Sequence, residues 1–217
     1  MIAAVAFDLD GVLIDSEPLW AQVREELAID SGGRWHARAQ RDMMGMSSGE
    51  WSRYMHEKLG VPLEPAAISD AVVERLEARL RRGIPLLPHA RQAVRTLSER
   101  WPLAIASSAN RGVIDLVLEL AGLASSFRAT ISSEEVARGK PAPDVYLEAA
   151  RRLDANPDRC AAIEDSANGL RAASAAGMRV VAIPNAAYPP EPQALELADV
   201  TLASLAELQP EIIEPRG

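Results

Sequence analysis

The sequence predicts an α/β protein in which a parallel sheet is flanked by helices and an all-helical segment is inserted after the first strand. Three observations carry this. Short continuous apolar runs recur at residues 2–7, 103–106, 161–163 and 180–183, with weaker ones at 129–132 and 200–202; runs without alternation mark strands buried on both faces. Helical periods lie between them, and strands alternating with helices build βαβ units and hence a parallel sheet. The alternation fails over residues 16–83, which hold helical periods and no convincing strand.

Taken in order, the first run ends at Asp8, Asp10 and Gly11, where charge and glycine stop a buried strand. A helix is predicted to begin near Glu17 and another to span residues 49–59. Ile68, Val72, Leu76 and Leu80 form one stripe of a third, with Glu74, Arg75, Arg79, Arg81 and Arg82 largely off it. The prolines of Ile84-Pro85-Leu86-Leu87-Pro88 mark the return of the chain. The expected division is therefore 1–15 with 84–217 as the sheet domain and 16–83 as the helical unit. Val113, Ile114, Val117, Leu118 and Ala121 predict a helix over 111–121, and Val145, Ala149, Ala150 and Leu153 predict another. The tail Glu214-Pro215-Arg216-Gly217 is expected to fray.

Composition narrows the function. At 217 residues the chain holds one domain with a large insert or two small domains. Its 48% hydrophobic and 25% charged residues exclude wholesale disorder and fibrous classes. A 4% aromatic fraction favours helices and buried strands over an aromatic-rich β shell. The net charge of −8 gives no global attraction to nucleic acid or anionic lipid, so an anionic substrate needs a local site. Cys160 stands alone, which excludes an internal disulfide framework. No apolar run approaches the roughly 18 residues of a membrane span, and the apolar N-terminus lacks the basic flank of a secretory signal. The expectation is a cytoplasmic monomer with no nucleic-acid or membrane partner.

In open α/β sheets, ligands bind beyond the carboxyl ends of the strands. Asp8 and Asp10 follow the first run, Ser107 and Ser108 the second, and Glu164 and Asp165 the run at 161–163. Four carboxylates at one sheet edge would repel and raise each other's pKa unless a cation sat among them, and magnesium is the natural occupant. In Asp8-Leu9-Asp10-Gly11 the i, i+2 spacing turns both acidic side chains to one side of an extended segment, and Gly11 permits a sharp departure. A lone motif of this kind also suits a solvated turn; its place directly after a buried strand favours chemistry. Lys140 lies in Arg138-Gly139-Lys140-Pro141-Ala142-Pro143-Asp144, a proline-stiffened loop ahead of a helix. There it is either a point cation for phosphate or a solvated surface lysine.

Four patches resemble, in order and spacing, the motifs of the haloacid dehalogenase superfamily, in its sugar-phosphatase and β-phosphoglucomutase-like branch. They are Phe7-Asp8-Leu9-Asp10-Gly11-Val12-Leu13-Ile14-Asp15-Ser16-Glu17-Pro18, Ile105-Ala106-Ser107-Ser108, Gly139-Lys140-Pro141-Ala142-Pro143 and Ile163-Glu164-Asp165-Ser166-Ala167-Asn168-Gly169. The resemblance implies a Rossmann-like core with a helical cap inserted after the first motif. It also implies Asp8 as the nucleophile that forms an aspartyl-phosphate and Asp10 as general acid and base. Ser107 and the backbone N–H of Ser108 would bind phosphoryl oxygens, and Lys140 would offset the charge of the phosphate and of Asp8. Magnesium would meet the Asp8 carboxylate, the Asp10 backbone carbonyl and Asp165, with Glu164 either a further ligand or one step behind.

Haloacid dehalogenases and phosphonatases lack the acid at the position of Asp10, so phosphoester chemistry is implied. β-Phosphoglucomutases carry a cap-helix His and a cap-loop Arg where this chain places Trp20 and Ser48. That favours a magnesium-dependent phosphatase of small phosphorylated metabolites, sugar or polyol phosphates, gated by cap closure. A hexose phosphomutase is the alternative, and a non-catalytic phosphate-ligand binder is a further one.

The remaining residues are read more plainly. Trp20, Trp35 and Trp51 are assigned first to core packing and second to a sugar platform. The loop Gly45-Met46-Ser47-Ser48-Gly49 is either a specificity loop or an interhelix turn. Arg34, Arg38, Arg41 and Arg53 either steer phosphate or form a solvated face. His36, His56, His89 and Cys160 are assigned structural roles. Asn110 either reaches the substrate or caps the 111–121 helix.

Overall fold

A computed structural model describes residues 1–214. Among these, six strands form one wholly parallel sheet: β1 (Ala4–Phe7), β2 (Leu103–Ser107), β3 (Ala129–Ser132), β4 (Cys160–Glu164), β5 (Arg179–Ala182) and β6 (Val200–Thr201). Their spatial order is β3-β2-β1-β4-β5-β6. All six apolar runs are strands. Their continuous hydrophobicity has a direct cause, because successive side chains alternate between two covered faces.

On one face Val5, Phe7, Ile105, Ile163 and Val181 join a large aliphatic core. On the other the sheet offers mainly methyl groups, from Ala4, Ala6, Ala104, Ala106, Ala162 and Ala182. Such a surface lets helices approach closely. The alanine face carries α7 (Asp144–Arg152), α8 (Ala167–Ala175) and α9 (Pro192–Leu195). The aliphatic face carries α5 (Ala90–Ser98), α6 (Arg111–Ala121) and α10 (Pro210–Ile213).

Between β1 and α5 lie α1 (Glu17–Asp30), α2 (Ala39–Met43), α3 (Ser48–Glu57) and α4 (Pro65–Leu80). Proline in the first turn pre-sets the start of α1 and of α4. At α3 a capping box pairs Ser47 with Glu50. α4 buries the predicted stripe Ile68, Val72, Leu76 and Leu80. Its packing partners include Trp20, Val23 and Leu27 of α1 and Trp51 and Met55 of α3, and this cluster is continuous with the aliphatic face of the sheet. The five-residue α2 has no counterpart in the sequence reading, being too short to show a period.

The chain leaves and re-enters the sheet domain along one ribbon. Ile14 bridges Leu86, the Asp15 N–H donates to the Pro85 carbonyl at 2.8 Å, and Leu87 N–H donates to the Leu13 carbonyl at 2.9 Å. At the other terminus the expected fraying is corrected for Glu214, whose Oε1 accepts from the Ile2 N–H at 2.7 Å; the rest of the tail, 215–217, lies outside the described residues. No helix among the described residues is long and apolar enough to cross a membrane.

Ile105 is wholly buried at the centre of the sheet, whereas Leu147 on α7 is 41% exposed. Ile105→Ala is expected to destabilise the fold by about 2–5 kcal/mol in urea unfolding, and Leu147→Ala to stay within about 0.5 kcal/mol. Equal losses would contradict this placement of the core.

Candidate active site

Strand order reverses direction between β1 and β4, and at such a point the connections diverge and open a crevice above the carboxyl ends of the strands. Asp8 follows β1 directly, and its backbone N–H donates to the Ile163 carbonyl at 3.0 Å, so the sheet itself fixes where it stands. Glu164 closes β4 and Asp165 follows it.

Lys140 meets these acids from the loop ahead of α7. It is 4% exposed, so the solvated reading is excluded. Its Nζ donates to Asp8 Oδ1 at 2.7 Å and to Glu164 Oε1 at 2.5 Å. The Lys140–Pro141 peptide is cis. Tyr146, drawn close by the alanine face, donates its hydroxyl to the same Glu164 Oε1 at 2.6 Å. Glu164 Oε2 accepts from the backbone N–H of Asp165 and of Ser166 and from the Ser166 hydroxyl, at 3.1, 3.3 and 3.2 Å. Both oxygens of Glu164 are therefore engaged. Gly169 makes room for them, since a Cβ there would stand 1.9 Å from the Glu164 carboxyl.

Asp165 is different. It is buried, yet no group among the described residues donates to its carboxylate oxygens. Ligand oxygens of Asp8, Glu164 and Asp165 lie within 4.8 Å of one another. Burial pushes Asp8 up from 3.8 to about 8, against the pull of Lys140. Burial and the neighbouring charges of Glu164 and Asp8 push Asp165 well above the usual carboxylate range. Burial opposes charge on Lys140 as well, but Asp8 and Glu164 outweigh it and raise its pKa, so the ammonium persists. One ammonium among three acids, with an unpartnered buried carboxylate, is a donor set suited to a hard divalent cation. Gly11 leaves space beside it: φ is +81°, and a Cβ would fall 2.0 Å from Asp165 Oδ2.

Asp10, half-buried, turns toward the inserted helices. Its Oδ1 accepts a short hydrogen bond from the Ser16 hydroxyl and one of 3.1 Å from Trp20 Nε1. Beyond it lie two charged residues that the sequence reading missed, Glu17 and Arg24, both lining the pocket. Arg24 is buried with its guanidinium 4.6 and 4.8 Å from the ring centroids of Trp20 and Trp51. Arg24 Nη1 donates to Gln40 Oε1 at 3.2 Å, and Gln40 Nε2 donates to Glu17 Oε2. Burial lowers Arg24 to about 10 and raises Glu17, each resisted by the other's charge. A signal existed: residues 17, 20, 24 and 27 share one face of α1, so an arginine stands in an apolar stripe.

The remaining expectations divide. Ser108 lines the pocket, and its hydroxyl donates to the Gly45 carbonyl at 3.4 Å. Ser107 is wholly buried and its Oγ accepts from the Ala109 N–H at 3.0 Å, so this hydroxyl shapes the turn after β2. Asn110 does not line the pocket. It stands at the N-cap position of α6 but its side chain makes no capping bond: Oδ1 accepts from Ser48 at 2.9 Å and Nδ2 donates to Glu134 at 2.6 Å. Gly45 and Met46 line the pocket, whereas Ser48 does not. Trp20 and Trp51 pack in the core as expected and also wall the pocket; Trp35 does not reach it. Arg34, Arg38, Arg41 and Arg53 are exposed and none lines the pocket. His36 pairs with Tyr54, His56 with the carbonyls of Val61 and Leu63, and His89 with Gln92. Cys160 is a buried free thiol that burial pushes up to about 11.

Residues 2–177 match the family model of the haloacid dehalogenase-like hydrolases. Hexitol phosphatase B of Escherichia coli is 35% identical over 213 residues, covering 95% of this chain and 94% of that protein. Among solved structures, CbbY from Rhodobacter sphaeroides in complex with phosphate superposes with a TM-score of 0.85 at 31% identity, covering 96% of both chains. β-Phosphoglucomutase from Clostridium difficile shares the fold, with a TM-score of 0.85 at 22% identity over 98% of this chain and 96% of that one.

The space beneath Glu164 gives a stability test. Gly169→Ala must displace that carboxylate and is expected to cost about 1–3 kcal/mol in urea unfolding. Gly49→Ala, in α3 with nothing near its Cβ, is expected to be stabilising by about 0.4–1 kcal/mol. A tolerated Gly169→Ala would show that Glu164 is not pinned as described.

Proposed function

The chain belongs to the haloacid dehalogenase-like hydrolases, and on that basis we propose that it is a magnesium-dependent phosphoric monoester hydrolase of small phosphorylated metabolites, sugar or polyol phosphates, working through an aspartyl-phosphate on Asp8. The observation that carries this reading is the Asp8–Lys140–Glu164 chain beside the unpartnered Asp165.

Lys140 binds Asp8 Oδ1 and leaves Oδ2 without a protein donor. That oxygen attacks phosphorus as the bond to the leaving alcohol breaks. Asp10 is held on Oδ1 by Ser16 and Trp20, which leaves Oδ2 to give the alcohol its proton. The same oxygen then takes a proton from the water that cleaves the aspartyl-phosphate and restores Asp8. Asp8, the Asp10 backbone carbonyl and Asp165 would hold magnesium, which when bound neutralises charge on the phosphoryl oxygens. We assign Glu164, with all its acceptor capacity in use, to holding Lys140 in place of ligating metal. Ser108 N–H and Lys140 bind the phosphoryl group; Ser107 holds the turn that presents the former, and Glu164 positions the latter.

The cavity has a volume of about 50 Å³, against roughly 300–1,000 Å³ for typical small-molecule sites. A phosphate ester is therefore admitted only when the helices of residues 16–83 lift as a cap from the core of 1–15 and 84–217, and closure shuts out bulk water. Trp20 and Ser48 stand where a mutase carries His and Arg, which supports release of phosphate over its transfer.

With magnesium, purified protein is expected to release phosphate from hexitol phosphates, and Asp8→Asn to abolish release. Asp10→Asn should slow it roughly 10²- to 10⁴-fold. Undiminished release by Asp8→Asn would end the covalent mechanism.

Metal dependence has its own signature. Because Asp8 is raised from 3.8 to about 8 and Asp165 is raised as well, the metal-free fold keeps protons that the unfolded chain has released. These groups therefore make it lose stability as pH rises from about 4 to about 8. Magnesium at the acids opposes that loss. The rise in Tm at saturating magnesium should be larger at pH 8 than at pH 6, and the reverse order would count against this site.

A further inference from the structure

Arg24 is 5% exposed, and its Nε is a buried side-chain polar atom without a hydrogen-bond partner among the described residues. Leaving such a donor unpaired is costly, and a buried polar group normally finds an acceptor. The guanidinium is held rigidly by the indoles of Trp20 and Trp51 and by Gln40, at the wall of the pocket that also contains Asp8 and Asp10. A pre-positioned donor in that place has a ligand group as its natural partner.

We propose that Arg24, with Glu17 across the Gln40 bridge, is the specificity-determining end of the leaving-group pocket and selects the hydroxyl groups of a neutral polyol chain over a second anionic group. The inference rests on the phosphatase reading above and deepens it. Glu17 and Arg24 together sum to zero formal charge, and Asp10 lines the same pocket. A second phosphate would face both acids with no uncommitted cation beyond Arg24, because Lys140, which also lines the pocket, is already bonded to Asp8 and Glu164 and the exposed arginines of the insert do not line it. A hydroxyl can accept from the guanidinium and donate to the carboxylate at once. The indole faces and the thioethers of Met43, Met44 and Met46 complete the wall and suit the C–H surface of the same molecule.

The test compares steady-state kinetics on a hexitol monophosphate, the matching hexitol bisphosphate and acetyl phosphate, whose leaving group has no hydroxyl. Wild-type protein should prefer the monophosphate to the bisphosphate at least about tenfold in kcat/KM, and Arg24→Met should lower the hexitol-to-acetyl phosphate ratio of kcat/KM about 10- to 100-fold, chiefly through KM. Arg24→Lys keeps the charge beside Glu17 and removes Nε, so it reads the same ratio if Arg24→Met does not fold. An unchanged ratio in the folded variants, or a wild-type preference for the bisphosphate, would overturn the proposal. Absence of Asp8-dependent release from all three substrates would overturn the phosphatase reading and this inference with it.

Discussion

The buried ammonium of Lys140 is the interaction on which the rest of the site depends. Asp8, Glu164 and Asp165 meet at the switch point of the sheet, and three acids can share that space only by keeping protons or by gathering cations. Lys140 ties two of them together and leaves the third without a donor. Its own position is fixed through Glu164, which in turn is gripped by Tyr146, Ser166 and two backbone N–H groups. The chain of cause runs into the scaffold: alanines on one sheet face bring α7 close enough for Tyr146 to reach, and Gly169 vacates the volume the carboxylate fills.

The sheet and the inserted helices divide the remaining work. The core supplies Asp8, Glu164 and Asp165, at the ends of strands that hydrogen bonds hold in register. The insert supplies Trp20, Arg24 and the methionines that line the same pocket, on helices packed through Leu, Val, Met and the Trp20–Trp51 pair. Asp10 belongs to the first group by sequence and to the second by its hydrogen bonds.

This division explains what the sequence made legible. All six strands and the stripe of α4 were readable because apolar period and burial are the same fact seen twice. Asp8, Asp10, Lys140, Glu164 and Asp165 were readable because strand ends focus function on few positions and the superfamily motifs mark them. The place of Asn110 at the start of α6 was readable, but its side-chain partners Ser48 and Glu134 are distant in sequence and no local rule anticipates them. The Ser107 hydroxyl also closes a local turn by accepting from the Ala109 N–H, a bond that the sequence pattern does not reveal. Arg24 and Glu17 escaped notice because charged residues on an insert are usually solvated, and only their place in the apolar stripe of α1 argued otherwise.

The paired crossings near Ile14 and Leu86 bring both ends of the insert out of the core at one place. α1 begins two residues beyond Asp15 and carries both the Trp20 indole that bonds Asp10 and the Arg24 guanidinium, one helical turn apart. Any displacement of that helix therefore moves the two groups as a rigid pair, and the carboxylate's partner is mechanically yoked to the cation in the pocket wall.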